Sequence, residues 1–166
     1  GGVPIGSGGA EPPPPPPPVE QLNRVIGFLE EEIEEGIVEA FQDQQTITVR
    51  LAGSGMFGSG SDSLQDSFRE PLEKVAAALN DTGGPIIIVG HSDNVPIRSS
   101  RFPSNQSLSL ARAEAVMNKL ADQLEDPSRL TAEGVADKDP IADNATAEGR
   151  AKNRRIEIVL VREDAT

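Results

Sequence analysis

Apolar residues recur at helical spacing in three stretches of the chain, and each stretch predicts an amphipathic helix. The first predicts a helix over about 20–35, where glutamates fill the positions between the apolar ones. The second predicts a helix over about 64–79 that ends at the Gly-Gly-Pro of 83–85, and the third a long helix over about 107–124. The positions that set these periods are Leu22, Ile26, Leu29, Ile33 and Ile37, then Leu64, Phe68, Leu72, Val75 and Leu79, then Leu108, Val116, Leu120 and Leu124.

Between these helices the apolar period changes to two, which indicates strands. Residues 37–41 and 46–51 alternate on either side of a short polar turn and predict a β-hairpin. The β-branched run 86–89 is typical of a strand that is covered on both faces. Further strands are predicted around 129–135 and 156–161. Helices and strands that alternate and then end in strands predict an α+β fold, a mixed-sheet sandwich.

The N-terminal part of the sequence has a different composition. Residues 1–10 are rich in Gly and Ser, and Pro12 to Pro18 form an unbroken run of seven prolines. Proline fixes φ and donates no hydrogen bond, so we expect an extended polyproline II spacer of roughly 20 Å. A ligand for a proline-recognising domain is the alternative. The chain therefore divides into a flexible linker (1–18), an acidic helix (19–36), a folded domain (37–162) and a tail (163–166).

Composition excludes several classes of function. The formal net charge is −12, with 27 acidic and 15 basic residues, which argues against binding to a nucleic-acid backbone. The absence of cysteine excludes disulfides and Cys-ligated zinc, and a single histidine, His91, excludes multi-histidine metal sites. We therefore expect no metal and no cofactor. No apolar run approaches the ~20 residues that span a bilayer. Because the chain begins with Gly-Gly, we expect any membrane contact to lie in a segment absent from this sequence.

One glycine motif invites a nucleotide-binding interpretation. Residues 53–58 read Gly-Ser-Gly-Met-Phe-Gly, the G-x-G-x-x-G spacing of dinucleotide-binding loops. In such folds the third glycine lies inside the opening helix, whereas here Gly60, Ser61 and Asp62 continue the loop. The acid after the next strand, Asp93, also lies farther from the motif than the ~20 residues of that fingerprint. We therefore expect a flexible glycine loop that binds no nucleotide.

Two charged residues are placed where a half-buried pair can form. Asp93 follows the predicted strand 86–89 at a turn that contains Asn94 and Pro96, and capping this turn is an alternative role for its side chain. Arg112 is the only charge in the apolar stripe of the third helix. Its guanidinium must therefore meet an anion or other acceptors, or else extend along the helix to solvent.

This pair of residue types predicts binding of an amino acid head group. A carboxylate accepts hydrogen bonds from an α-ammonium, and a guanidinium holds an α-carboxylate through two parallel hydrogen bonds. Neither group performs chemistry in that arrangement. The chain also has no G-x-S-x-G nucleophile elbow, and we interpret His91 as a structural, hydrogen-bonded residue. The prediction is therefore a binding module and not an enzyme.

Three stretches carry a family resemblance. Residues 90–93 read Gly-His-Ser-Asp, residues 105–113 read Asn-Gln-Ser-Leu-Ser-Leu-Ala-Arg-Ala, and residues 144–155 read Asn-x-Thr-x-x-Gly-Arg-Ala-x-Asn-Arg-Arg. In this order they resemble the OmpA/MotB-like peptidoglycan-binding domain, over about 56–162. The loop over 94–105 is most similar to the C-terminal domain of type VI secretion proteins of the TssL/DotU family. The flagellar stator protein MotB is a near neighbour.

The resemblance implies a fold, a ligand and site residues. The fold is an OmpA-like mixed-sheet α/β sandwich in β-α-β-α-β order, with an N-terminal helix and β-hairpin. The ligand is the diaminopimelate of uncrosslinked peptidoglycan stems, with Asp93 binding its ammonium and Arg112 its carboxylate. Asn105 and Arg154 match supporting positions. Further supporting candidates are Ser92, Leu108 and Arg155.

The basic residues of 150–155 also predict one local basic spot in this acidic chain, suited to the carboxylates of a stem peptide. Two positions depart from the family pattern. Gly58 stands where many members have an aspartate, which removes one contact with the ligand, and Ser92 stands for the usual threonine, which keeps a hydroxyl.

Two functions of different class follow. The first is a non-catalytic anchor that ties an envelope-spanning secretion complex to the cell wall, as the periplasmic domain of an inner-membrane protein in a Gram-negative bacterium. Its partners are then peptidoglycan and other envelope proteins of that complex, and the sequence leaves a homodimer open. The alternatives are a scaffold domain that makes protein–protein contacts without binding peptidoglycan, and a wall anchor of the flagellar-stator type.

Overall fold

The computed structural model describes residues 18–53, 55–97 and 99–162. The predicted linker over 1–18, apart from Pro18, and the predicted tail over 163–166 lie outside the described residues. The elements are α1 (Pro18–Phe28), α2 (Glu30–Glu34), β1 (Val38–Gln42), β2 (Thr46–Ala52), α3 (Arg69–Asn80), β3 (Ile86–His91), α4 (Asn105–Ala121), β4 (Leu130–Ala136), α5 (Ala147–Asn153) and β5 (Arg155–Val161).

The five strands form one mixed sheet in the order β1-β2-β5-β3-β4. β1 and β2 are the predicted antiparallel hairpin, β5 lies antiparallel between β2 and β3, and β3 and β4 are parallel. A parallel pair requires a crossover connection, and α4 supplies it. The predicted α+β fold, with its N-terminal helix and β-hairpin, is confirmed.

One face of the sheet packs against the helices and forms the core. Ile86 and Ile88 of β3 and Ile158 of β5 are completely buried there. The run 86–89 predicts a strand covered on both faces, and this prediction is wrong: Ile87 and Val89, which point to the other face, are only partly buried. Side chains alternate along a strand, and the helices pack on one face, so the strand has an inner and an outer side.

The N-terminal helix is interrupted where the sequence predicts a continuous one. α1 ends at Phe28 and α2 begins at Glu30, with the fully buried Leu29 between them in a non-helical conformation (φ −119°). Gly27 just before the break has low helix propensity. Both helices still place apolar residues on the core, including Val25 and Leu29.

α4 lies unusually close to the sheet, and this closeness positions its side chains. A Cβ built on Gly90 of β3 would lie 2.0 Å from the carbonyl oxygen of Ser109 in α4, so only glycine fits there. Ser104 caps the helix: its side chain accepts from the backbone N–H of Ser107, whose hydroxyl oxygen accepts from the N–H of Ser104. No helix in the described part of the chain is long and apolar enough to cross a membrane.

The strand register brings three chain segments together at one end of the sheet. Arg155, the first residue of β5, pairs with Ala52 at the end of β2 and with His91 at the end of β3. Residues that immediately follow β2 and β3 or precede β5 therefore meet at this end.

Candidate ligand-binding site

A cavity of about 490 Å³ opens at that end of the sheet. The loops after β2 and β3 form its walls, and the N-terminal half of α4 and the residue before β5 close it. It contains six of the seven residues that the sequence and the family resemblance nominate. These are Ser92, Asp93, Asn105, Leu108, Arg112 and Arg154.

Asp93 is the anionic group of the cavity and is only 8% exposed. Its Oδ1 accepts a hydrogen bond from the backbone N–H of Val95 at 3.0 Å, which is the turn-capping role considered above. Its Oδ2 accepts from Nη1 of Arg154 at 2.6 Å, a charge-assisted bond. The carboxylate therefore both orders its own loop and holds a cation.

Asn105 and Ser92 support the Asp93 loop. Asn105, the first residue of α4, donates from Nδ2 to the carbonyl oxygen of Val95 at 2.9 Å and to that of Asp93 at 3.4 Å. The hydroxyl of Ser92 donates to the Asp93 carbonyl oxygen at 2.9 Å, and its N–H donates to Ala136 in β4. The loop that carries the carboxylate is thus fastened to both α4 and β4.

Arg112 reaches the cavity from the second turn of α4. Its Nε donates to the Ser61 carbonyl oxygen at 2.7 Å and its Nη2 to the Gly58 carbonyl oxygen at 3.0 Å. Its guanidinium carbon lies 5.0 Å from the centroid of the Phe57 ring, a cation–π contact. Of the predicted alternatives for Arg112, the structure therefore has backbone acceptors, and Asp93 forms its ion pair with Arg154 instead.

One edge of the Arg112 guanidinium remains available to a ligand. The two carbonyls use Nε and Nη2, and Nη1 has no hydrogen-bond partner among the described residues. A guanidinium has five N–H donors, so the Nη1–Nη2 end can still bind a carboxylate through two hydrogen bonds. Burial lowers the pKa of Arg112, and the charge of Arg154 lowers it further, while Asp62 and Asp93 oppose both effects.

Arg154 completes the charges of the cavity. Together Asp93, Arg112 and Arg154 form what we call the pocket cluster, with two guanidiniums and one carboxylate. The backbone of Arg154 is fixed from β2: the N–H of Gly53 donates to the Arg154 carbonyl oxygen at 2.8 Å. A Cβ built on Gly53 would lie 2.1 Å from that oxygen, so glycine is required for this approach.

Arg155 is the nominated residue that does not line this cavity. Its Nε donates to Glu157 at 2.7 Å, and its other nitrogens donate to the carbonyl oxygens of Asn153 and Asp139. The single basic spot predicted over 150–155 is therefore divided, since Arg154 faces the cavity and Arg155 the outer face of the sheet. Arg150 donates to the Asn144 carbonyl oxygen within its own loop.

A second charge cluster surrounds Glu157 on the outer face of the sheet. Glu157 also accepts from Arg50 at 2.9 Å, and Arg50 lies 3.3 Å from Glu39. His91 is buried, with Nε2 3.5 Å from Glu157, which agrees with its interpretation as a structural residue. We call these residues the sheet cluster; its members are Glu39, Arg50, His91, Arg155 and Glu157.

The electrostatics of Glu157 follow from this crowding. Burial raises its pKa, but the hydrogen bonds from His91 and Arg155, the charge of Arg155 and the bond from Arg50 outweigh burial. The net result is a pKa well below the ordinary value of 4.5.

The sequence does not reveal most of the residues that build the cavity walls. One wall is the stretch 57–60, which the glycine pattern indicated only as a flexible loop, and the other is the stretch 95–97. An isolated bridge between Phe57 and Leu64 closes the first loop on itself, so Leu64 is not helical as predicted. The glycines of this stretch are the sequence feature that could have indicated the wall, because glycine allows backbone carbonyls to approach Arg112 closely.

Neither the metal-ligand geometry nor the helix that a nucleotide-binding loop needs is found among the described residues of the site. Within the described ranges, no group of three or more His, Asp or Glu side chains could hold a metal ion. The Gly53–Gly58 motif opens no helix, because the next helical residue of the described chain is Asp66. Phosphate binding by such a motif relies on a helix N-terminus at that point.

Known proteins similar to this chain have the same architecture. Among solved structures, the cell wall anchor of the T6SS (type VI secretion system) from Pseudomonas aeruginosa is 41% identical, with a TM-score of 0.80, and the match covers 86% of this chain and 99% of that one. A MotB-like protein from Desulfovibrio vulgaris is 28% identical, with a TM-score of 0.80, over 87% of this chain and 94% of that one.

A curated relative and a family model extend the comparison. Motility protein B from Bacillus subtilis (strain 168) is 34% identical over 142 residues, which is 84% of this chain but 54% of that protein. The chain thus spans about half the length of this relative. The model of the OmpA family matches residues 56–154, and this family consists of non-catalytic binding domains, as the sequence predicts. The resemblance carried by the three motifs is confirmed, and the chain belongs to the OmpA family of peptidoglycan-binding domains.

Proposed function

We propose that this domain binds the diaminopimelate of uncrosslinked peptidoglycan stems and thereby anchors an envelope-spanning secretion complex to the cell wall. The observation that carries the proposal is the unused end of the Arg112 guanidinium beside a buried carboxylate in one open cavity. Two cations and one anion prefer a ligand that brings at least one carboxylate.

The carboxylate of the ligand's free zwitterionic centre binds the Nη1–Nη2 end of Arg112. The backbone carbonyls of Gly58 and Ser61 hold the opposite edge, so the fork is oriented before the ligand arrives. Preorganisation of this kind reduces the entropy lost on binding.

The ammonium of the same centre binds Asp93, where it shares the carboxylate with Arg154. The side chain of Arg154 is 39% exposed, so it can turn toward a second carboxylate of the stem peptide once the ammonium is in place. The site therefore exchanges an internal ion pair for two ion pairs with the ligand.

The relatives support the complex and the location. The similar structure from Pseudomonas aeruginosa is a T6SS cell wall anchor, and a further similar structure, 26% identical, is the periplasmic domain of Helicobacter pylori MotB. By analogy this chain is a periplasmic domain of an inner-membrane protein in a Gram-negative bacterium, and it works beside other envelope proteins of the secretion complex. The flagellar-stator type of wall anchor is the related alternative.

Co-sedimentation with purified cell-wall sacculi tests the proposal. Asp93→Ala and Arg112→Ala should each lower the affinity at least thirtyfold, because removing one member of a desolvated charge contact costs ~2–5 kcal/mol. Arg69→Ala is the matched control, since its side chain is 74% exposed and lies on α3 outside the cavity. If folded Asp93→Ala and Arg112→Ala proteins sedimented like the wild type, the site assignment would be wrong.

A scaffold that makes protein–protein contacts without binding peptidoglycan is the second candidate. It is favoured by the Asp93–Arg154 ion pair, which already satisfies the carboxylate without a ligand, and by Gly58 at the position of the family's aspartate. Wild-type protein that does not sediment with sacculi at any concentration would support the scaffold.

A further inference from the structure

An ion pair joins the two loops that form the walls of the cavity. Arg101 lies in the loop after β3 and Asp62 in the loop after β2. The Nη1 of Arg101 lies 3.0 Å from Oδ1 of Asp62, and its Nη2 donates to Oδ2 at 3.3 Å. This two-point contact between a guanidinium and a carboxylate adds geometric specificity as well as energy. Neither residue lines the cavity itself. We call this pair the clasp.

One end of the clasp belongs to the tip of its loop, residues 58–63. In this tip the N–H of Ser61 donates to the carbonyl oxygen of Gly58 at 3.0 Å, which closes a turn. The same turn presents the two carbonyl oxygens that accept from Arg112. Among the described residues, the tip receives side-chain hydrogen bonds from two arginines, Arg112 and Arg101. The clasp therefore fastens the acceptors of Arg112 from outside the cavity.

The other end of the clasp rests on an ordered turn. The N–H of Ser99 donates to the carbonyl oxygen of Phe102 at 3.0 Å, and the N–H of Phe102 donates to Oγ of Ser99 at 2.9 Å. The ring of Phe102 is buried, and the guanidinium carbon of Arg101 lies 5.0 Å from its centroid, a cation–π contact. The Arg101 side chain is 67% exposed, so this contact reduces the rotamer freedom that it loses when it binds Asp62.

We propose that Arg101 and Asp62 are positioning residues for ligand binding. The clasp holds the loop tip so that its two carbonyls keep Arg112 oriented while the free end of the guanidinium binds a carboxylate. Without the clasp, the tip must be ordered as the ligand binds, and this ordering lowers the affinity. The inference rests on the proposed function and adds to that site two residues that line no part of its cavity.

The signs of two single-variant effects separate this role from a direct effect of charge. The negative charge of Asp62 acts on Arg112, so its removal alone would make the cavity more attractive to a ligand carboxylate. Removal of the positive charge of Arg101 would make it less attractive. A direct effect of charge therefore predicts opposite changes in affinity, whereas the clasp predicts that Asp62→Asn and Arg101→Gln both weaken binding.

Calorimetric titration with free meso-diaminopimelate tests the inference. Each single variant should bind about three- to tenfold more weakly than the wild type, because the loop tip is then ordered only on binding. The double variant, Asp62→Asn with Arg101→Gln, should bind no more weakly than either single variant, because all three lack the same contact. Losses that add in the double variant, or tighter binding by Asp62→Asn, overturn the inference.

The ion pair between Arg24 and Asp81 provides the matched control. It is also exposed, with a length of 3.1 Å, and it lies outside the cavity. Arg24→Gln and Asp81→Asn should therefore leave the affinity within about twofold of the wild type. Wild-type affinity in both clasp variants refutes this inference alone. Wild-type protein that does not bind meso-diaminopimelate refutes the proposed function together with the inference.

Discussion

Arg154 and Arg155 are neighbours in the chain, yet their guanidiniums belong to two charge clusters that are built differently. In the sheet cluster, the side chain of Arg155 is 1% exposed and donates to a carboxylate and two carbonyl oxygens. In the pocket cluster, the side chain of Arg154 is 39% exposed and donates to the carboxylate of Asp93. One arginine is enclosed by acceptors, and the other faces an open cavity.

The two clusters differ most in how many carboxylates face their two guanidiniums. The sheet cluster sets two guanidiniums against two carboxylates, so its charges compensate each other inside the protein. The pocket cluster sets two guanidiniums against one carboxylate, and backbone carbonyls take the place of the missing anion at Arg112. A buried charge needs compensation, and we infer that the ligand supplies what the pocket lacks. The following predictions test this difference.

The largest effect on stability is expected from breaking the sheet cluster. Glu157→Ala removes the carboxylate partner of the buried Arg155 and should lower the free energy of unfolding by ~3–5 kcal/mol, the usual cost of leaving one member of a buried ion pair alone. Urea denaturation measures this loss. Folded protein should keep its affinity for diaminopimelate, because Glu157 lies outside the cavity.

Glu39→Ala provides the control for this experiment. Its carboxylate also contacts Arg50, but its side chain is 67% exposed, so the loss should stay below about 1 kcal/mol. If both variants lost a similar amount of unfolding free energy, burial would not be the reason for the larger contribution of Glu157.

A conservative change in the pocket cluster should lower the affinity for the ligand, whereas the changes in the sheet cluster lower stability. Arg112→Lys keeps the charge but cannot hold two carbonyls and a carboxylate at once, because an ammonium lacks the planar fork. We expect the affinity for diaminopimelate to fall at least tenfold, about 1.4 kcal/mol, as measured by calorimetric titration. Arg155→Lys should show the reverse pattern, with lower stability and unchanged affinity. Wild-type affinity in Arg112→Lys would contradict the proposed role of the fork.

The pH dependence of stability should come from the sheet cluster. The pKa of Glu157 is lowered in the folded protein, so its contribution is complete above the ordinary value of 4.5 and is lost as the pH falls from there toward the folded value. Across that window the wild type should lose about 1.4 kcal/mol per pH unit from this one group. Glu157→Gln removes this contribution, so its unfolding curves should depend less on pH below 4.5. Parallel curves for the two proteins would refute the assignment.

The two clusters also show what sequence reasoning can reach. The apolar periods predict the hairpin, the three main helices and the last strand, because a regular period arises when one face of a helix or strand is buried. The interruption at Leu29 and the partial exposure of Ile87 and Val89 do not follow from these periods, since they depend on which face of the assembled element is covered. Periodicity does not carry that information.

At the candidate site, the side-chain motifs select residues that share one cavity, but they do not indicate the partners of those residues. Asp93, Asn105 and Arg112 line one cavity, as their motifs indicate. The acceptors of Arg112 are backbone carbonyls, which every residue has, so no residue type marks them. Arg155 was assigned to the same basic spot as Arg154 because the chain shows them together, whereas the structure separates them at the start of β5.

The smallest effect should come from removing the N-terminal segment. Gln21 of α1 accepts a hydrogen bond from Nε of Arg162, and the N–H of Arg162 donates to Gln45 in the hairpin turn. This is the end of the sheet opposite the cavity, because β5 runs seven residues from Arg155 to Val161, roughly 20 Å. Gln21 therefore lies away from the cavity, and we expect the residues that precede α1 to take no part in binding.

Deletion of residues 1–18 should therefore leave sedimentation with sacculi within about twofold of the full chain, the range in which surface changes usually fall. Deletion of residues 1–36 is the informative contrast, because it also removes Val25 and Leu29 from the core. We expect that longer deletion to destabilise the domain, since each buried large apolar side chain contributes ~2–5 kcal/mol. A large loss of wall binding on removing 1–18 alone, with the fold intact by circular dichroism, would place the segment in the binding site. The separation of tether and cavity would then be wrong.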